Sequence, residues 1–116
     1  MTVSDILNSK RTGRKLTMLT AYDHPTAYWM DQSGIDVILV GDSLANVVLG
    51  LESTTQVGMS EMLHHCKAVT RAVKSALVVG DMPFEAYQVD PQKSDDLLQT
   101  LVYLNWPCLR VSAHGA

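Results

Sequence analysis

The sequence predicts an α/β fold, a parallel sheet whose strands are joined by helices in right-handed crossovers. Two kinds of segment predict it. Val37–Ile38–Leu39–Val40 and Ala76–Leu77–Val78–Val79 are short, unbroken aliphatic runs, the pattern of strands buried on both faces rather than on one. Between such runs lie stretches with apolar residues at helical spacing, and strand and helix alternate four times along the 116 residues.

Each element has its own local signal. Residues 2–11 read as a short helix with Ser4 as its cap, ended by Gly13. Lys15–Ala21 reads as the first strand. A helix over about 25–32 follows, with Pro25 in its first turn and Gly34 just past its end. The second strand occupies 36–41. Residues 42–58 form a long connection containing Gly50 and Gly58, longer than most purely structural loops and therefore a candidate for function. From Met59 to about Lys74 a helix is expected, because Met62, Cys66, Val69 and Val73 recur at its period. Ala76–Gly80 is the third strand. A helix over about 92–104 and a fourth strand at Leu109–Val111 complete the pattern.

Composition narrows the function. A hydrophobic content of 47% supports a packed core in a chain of single-domain size. Nine basic residues against 12 acidic ones give a net charge of −3, without the basic stripe of a nucleic-acid binder. No apolar run approaches the ~18 residues needed to span a bilayer. The first residues lack the basic start and apolar stretch of a signal peptide. Cys66 and Cys108 have no metal-ligand spacing. A cytoplasmic protein acting on small molecules, with no nucleic-acid or membrane partner, is the expectation.

Chemistry concentrates at the strand ends. Asp23, Asp42 and Asp81 each follow a predicted strand, which brings all three toward one edge of the sheet, where α/β folds place their ligands. Converging carboxylates repel one another unless a cation or protons compensate. Oxygen donors of this kind suit a hard divalent metal, Mg²⁺ above all. The alternative for Asp42 and Ser43 is to cap the next helix or turn. Asp23, directly before His24–Pro25, is assigned to capping ahead of ligation.

Several motifs together resemble one family. Thr20–Ala21–Tyr22–Asp23, Val40–Gly41–Asp42–Ser43–Leu44, Gly50, and Asp81–Met82–Pro83–Phe84 with Tyr87 are similar, in order and spacing, to the ketopantoate hydroxymethyltransferases. The resemblance runs from about residue 4 to 105. It implies a (β/α)₈ (TIM) barrel, a fold of about 250 residues, so that this chain corresponds to the N-terminal half-barrel, a single partial domain. It also implies the activity: transfer of a hydroxymethyl group from 5,10-methylenetetrahydrofolate to 3-methyl-2-oxobutanoate, giving 2-dehydropantoate in pantothenate biosynthesis. By the same resemblance Mg²⁺ is held by Asp42 and Asp81 and polarises the substrate ketone as a Lewis acid. Asp42, Ser43, Asp81 and Arg110 contact the keto acid, and the full-length family forms homo-oligomers.

The match has departures. Where the family's fourth strand carries Lys and Glu, this chain has Arg110 and Ser112. Arg110 keeps the positive charge but not the shape of an ammonium, and Ser112 removes an anionic contact. Ala45 replaces a common Gly. Residues 105–116, with Asn105–Trp106–Pro107–Cys108, are atypical, as a truncated gene, a shifted frame or a natural half-length relative would make them. The family's base is a Glu beyond residue 116, so no residue here is assigned that role and no turnover is expected from this chain alone.

Other residues are given structural roles. Glu61 with His64 or His65 is read as a solvated or i,i+4 helix contact rather than a ligand pair. Cys66 is a small buried hydrophobe, and Trp29 and Trp106 pack rather than stack on a pterin. Phe84 and Tyr87 belong to loop packing, and His114 to a frayed end. Two other enzyme or binding classes fit the same acid edge: a Mg²⁺-dependent keto-acid barrel of the phosphoenolpyruvate mutase and isocitrate lyase group, and a flavodoxin-like receiver domain with Asp81 as acceptor. The receiver lacks its acidic pair after the first strand and its fifth strand. A third possibility is an inactive half-barrel that persists only by pairing with another chain.

Overall fold

A computed structural model describes residues 1–83 and the backbone of 110–112. In chain order it contains α1 (Val3–Thr12), β1 (Met18–Thr20), α2 (His24–Gln32), β2 (Val37–Val40), α3 (Leu44–Val47), a 3₁₀ turn (Thr54–Gln56), α4 (Met59–Ala72), β3 (Leu77–Asp81) and β4 (Arg110–Ser112). The four strands form one parallel sheet in the order β1-β2-β3-β4. Parallel strands added in chain order, with helices between β1 and β2 and between β2 and β3, are successive units of a (β/α)₈ barrel. The expected helix over 92–104 lies outside the described residues, as do Phe84, Tyr87, Trp106, Cys108 and His114.

Alternation along the strands builds two apolar layers. Ile38, Val40 and Val78 face the helices and join Ala27, Met62, Cys66, Val69 and Ala72 in the larger core. Val37, Leu77 and Val79 point the other way, where Met1, Ile6 and Leu39 pack on them. Both faces of β2 and β3 are covered, as their unbroken aliphatic runs require. Asp81 continues the face of Leu77 and Val79, so its carboxylate belongs to the inner side of the sheet.

The differences from the sequence reading have local causes. Thr2, not Ser4, caps α1, because only Thr2 forms a reciprocal box: its Oγ1 accepts from the Asp5 N–H while Asp5 Oδ2 accepts from the Thr2 N–H. Gly13 ends that helix with φ 76°, a conformation glycine reaches without strain. β1 is shorter than 15–21. Ahead of it the Asp36 carboxylate takes the Thr17 N–H at 3.0 Å, while the Asp36 N–H donates to Thr17 Oγ1 at 3.2 Å. The long 42–58 connection is packed rather than open: it holds α3 and the 3₁₀ turn, and Leu44, Ala45 and Val57 are buried. Ala45 sits inside helix α3, where a left-handed backbone is not required.

Trp29 does not pack into the core. It is 67% exposed and makes a T-shaped ring contact with Tyr28, with centroids 5.1 Å apart. Glu61 also departs from expectation. It closes a box at the start of α4, accepting from the Gly58 N–H at 3.1 Å, rather than reaching toward either histidine. No described helix is long and apolar enough to cross a membrane.

Candidate active site at the carboxyl edge

The three strand-end acids separate into two roles. Asp23 caps α2: its Oδ1 accepts from the Thr26 N–H at 2.9 Å. The side chain and amide of Thr26 hold the Asp23 carboxyl below the ordinary carboxylate range, with smaller help from His65 and His24. The capping role expected of Asp23 is the one that forms, and a cap this well satisfied competes with ligation.

Asp81 and Asp42 do come together. Asp81 is the last residue of β3, 6% exposed, and Asp42 lies two residues past the end of β2. Because β2 and β3 are hydrogen-bonded neighbours with Val40 opposite Gly80, their ends coincide. The Asp42 N–H donates to Asp81 Oδ2 at 3.1 Å. Gly41 gives the room for this. A Cβ there would lie 3.5 Å from Asp81 Oδ2 and 3.1 Å from Ser43 Oγ, tight for the hydroxyl.

Ser43 opens α3 without using its side chain as a cap. Its hydroxyl instead meets the phenol of Tyr22 at 2.6 Å. Tyr22 is held in turn from α4, where His65 Nδ1 lies 2.7 Å from the Tyr22 carbonyl oxygen. A carbonyl only accepts, so this imidazole nitrogen carries the proton. From the sequence, Tyr22 was only part of a motif and His65 only a helix-surface contact, and neither was given a role in the site. The one sequence signal was a Tyr beside a strand-end Asp, which does not name its partner. Arg110 pairs with Val79 and Ser112 with Asp81 in the ladder, which puts β4 at the same edge; the description of both residues stops at the backbone.

The donor set fits a hard cation. Mg²⁺ commonly takes one or two protein carboxylates and leaves its other positions to water and substrate. Asp81 brings a carboxylate to this edge and the Asp42 backbone lies against it, and among the described residues no group of three or more His, Cys, Asp or Glu side chains could hold a metal. One or two carboxylates do not meet the four-ligand demand of a structural zinc site.

The ketopantoate hydroxymethyltransferase family model matches residues 1–103. The chain belongs to that family. Among curated relatives, the 3-methyl-2-oxobutanoate hydroxymethyltransferase of Syntrophobacter fumaroxidans is 62% identical over 94 residues, covering 81% of this chain and 33% of the relative. The enzyme of the same name from Acetivibrio thermocellus is 58% identical over 93 residues, with 80% and 33% covered. That of Ignicoccus hospitalis is 51% identical over 94, with 81% and 36% covered. The chain thus spans about a third of the length of the curated relatives it matches. Among solved structures, phosphonopyruvate hydrolase in complex with oxalate and Mg²⁺ superposes with a TM-score of 0.56 at 22% identity, over 70% of this chain and 29% of that one. That likeness concerns the fold, and it agrees with the partial parallel barrel described above.

Proposed function

We propose that this hydroxymethyltransferase-family chain carries the keto-acid end of a site that transfers a hydroxymethyl group from 5,10-methylenetetrahydrofolate to 3-methyl-2-oxobutanoate, giving 2-dehydropantoate for pantothenate synthesis in the cytoplasm. The observation that carries the reading is the Asp42–Asp81 contact, two acids joined at adjacent strand ends with one of them 6% exposed. The name of the relatives supplies the substrate and the reaction class.

Asp42 and Asp81 would hold Mg²⁺, the cation also present in the structural neighbour. When bound, the metal supplies Lewis-acid polarisation of the substrate ketone. The remaining work falls to the chain itself. The Ser43 hydroxyl and the backbone around it would bind the substrate carboxylate, with Arg110, on the β4 strand beside β3, as a second candidate contact. The Asp42 N–H fixes the direction of the Asp81 carboxylate. Leu39 and Val79, on the inner face, keep the floor apolar, which strengthens each polar contact above it. The proton on the substrate carbon is not assigned to any residue of this chain.

Asp42→Ala and Asp81→Ala are expected to abolish Mg²⁺-dependent binding of 3-methyl-2-oxobutanoate in titration calorimetry. Unchanged binding in either variant removes that residue from the site.

A further inference from the structure

We infer that Tyr22 is a positioning residue of this site, acting through the hydroxyl of Ser43. The inference rests on reading the Asp42–Asp81 edge as the keto-acid site, and it deepens that reading by adding the group that aims its serine.

The argument begins with what a lone serine does. A hydroxyl on a short side chain has three staggered positions of similar energy, and an exposed serine samples them. Ser43 is half-buried at the first turn after β2, and its side chain takes no part in capping α3. What selects its rotamer is the Tyr22 phenol at 2.6 Å, a short contact even for two hydroxyls. The phenol is itself anchored at two points. Its ring is packed against the helix-facing core, and its backbone carbonyl accepts from His65 Nδ1 at 2.7 Å. On the other side, the virtual Cβ of Gly41 reaches the Ser43 oxygen at 3.1 Å and Asp81 Oδ2 at 3.5 Å. The oxygen that Tyr22 holds and the carboxylate expected to bind metal therefore border the same residue, Gly41. α4 thus fixes the turn after β1, that turn presents the phenol, and the phenol fixes the Ser43 hydroxyl.

A phenol and a serine hydroxyl also share one further proton than their mutual bond consumes. Whichever oxygen donates to the other, the second hydroxyl hydrogen stays available to an anionic acceptor. A substrate carboxylate is such an acceptor. With Tyr22 as donor to Ser43, the Ser43 hydrogen points outward to the ligand. Removing the phenol leaves Ser43 to spend part of its time in rotamers that do not reach the carboxylate.

Tyr22→Phe, Ser43→Ala and the double variant test this in the full chain, each first checked for a cooperative melt. Two readouts are taken: Mg²⁺-dependent binding of 3-methyl-2-oxobutanoate by calorimetry, and the three-bond Hα–Hβ couplings of Ser43 in the metal-free protein. The expected result is about fivefold to tenfold weaker binding in Tyr22→Phe, the size of one lost neutral hydrogen bond, with Ser43 couplings averaged over rotamers. In the Ser43→Ala background, Tyr22→Phe should cost nothing more, because its effect passes through the missing hydroxyl. Unchanged Ser43 couplings in Tyr22→Phe, or additive losses in the double variant, overturn the inference. If the parent chain binds no keto acid, the reading of the site fails instead, and the couplings alone decide whether Tyr22 sets Ser43.

Discussion

The backbone N–H of Asp42 donates to Oδ2 of Asp81 across 3.1 Å, joining the loop after β2 to the last residue of β3. Two carboxylates near one another repel. Here the first contact between them is instead a backbone dipole of one against the charge of the other. That arrangement orients the Asp81 carboxylate against the loop after β2. It depends on the two strands ending in register, Val40 opposite Gly80, and on the absence of a side chain at Gly41.

Gly41→Ala tests that dependence. The added Cβ would sit 3.1 Å from Ser43 Oγ, and Ser43 has little room to give because Tyr22 holds it at 2.6 Å. The expected cost is about 1–3 kcal/mol of stability, the usual range for one surplus methyl in a tight site, together with weaker Mg²⁺-dependent keto-acid binding. Urea unfolding and calorimetry measure the two effects. Parental stability with parental affinity would show that the site tolerates a side chain there.

A second acid does purely structural work. Asp31, near the end of α2 and 6% exposed, accepts from three consecutive amides ahead of β3, those of Lys74 at 2.9 Å, Ser75 at 3.1 Å and Ala76 at 2.8 Å. Burial alone would raise its pKa, but the N–H groups of Ala76, Lys74 and Ser75 together outweigh burial and hold it below the ordinary value. Asp31→Ala strands those amides and is expected to cost about 2–4 kcal/mol. Since its folded pKa lies below the unfolded one, the carboxylate's contribution is complete above the unfolded value, about 4, and is lost as pH falls through the folded value. Urea midpoints measured from neutral pH downward should fall more for the parent than for Asp31→Ala. Parallel pH profiles would remove Asp31 from the account.

The contrast between Asp31 and the Asp42–Asp81 pair shows what the sequence could disclose. Asp42 and Asp81 were legible because each ends an aliphatic run, and in a parallel sheet strand ends meet at one edge. The runs of β2 and β3 and the period of α4 were legible for the same reason, as burial dictates residue type along each of them. Asp31 carried no such mark: it is one acid in a helix, and its partners lie 43–45 residues away. The Tyr22–Ser43 bond likewise joins residues 21 apart and exists only once β1 and β2 are paired. The sequence pointed to Ser4 as the cap of α1, but the role falls to Thr2, which has Asp5 three residues on. Trp29 was expected to pack rather than stack on a pterin, yet it stands exposed on α2; the described residues show no cause beyond its ring contact with Tyr28.

Cys66 gives an independent check on the core under the site. Burial pushes its thiol up to about 12, and the negative charge of Asp81 adds to the shift. A thiol with a raised pKa is protonated and unreactive at about pH 8. Iodoacetamide at that pH should leave Cys66 unmodified in the folded chain and alkylate it in urea, as followed by peptide mass spectrometry. Rapid alkylation without denaturant would mean that α4 leaves the sheet far more often than its packing implies.

The edge of the sheet at β1 makes the last prediction. Leu19 stands opposite Ile38, which is fully buried beneath the helices, yet Leu19 is 49% exposed and its neighbour Met18 is 51% exposed. Among the described residues β1 pairs only with β2, so its outer N–H and C=O groups face away from the sheet. On the inner face, Met18 lines an apolar cleft of about 380 Å³ with Val3, Ile6, Leu16, Val37, Leu77 and Val79. Unpaired strand edges and exposed apolar surface both favour association with another chain. Sedimentation velocity of the purified chain is therefore expected to show a sedimentation coefficient that rises with concentration. Leu19→Lys places a charge on the edge without removing a buried group, and it should lower that concentration dependence while leaving the thermal melt cooperative. A parent chain that sediments as a monomer at every concentration, with a single sharp melt, would mean that the edge and the cleft are closed by residues of the same chain.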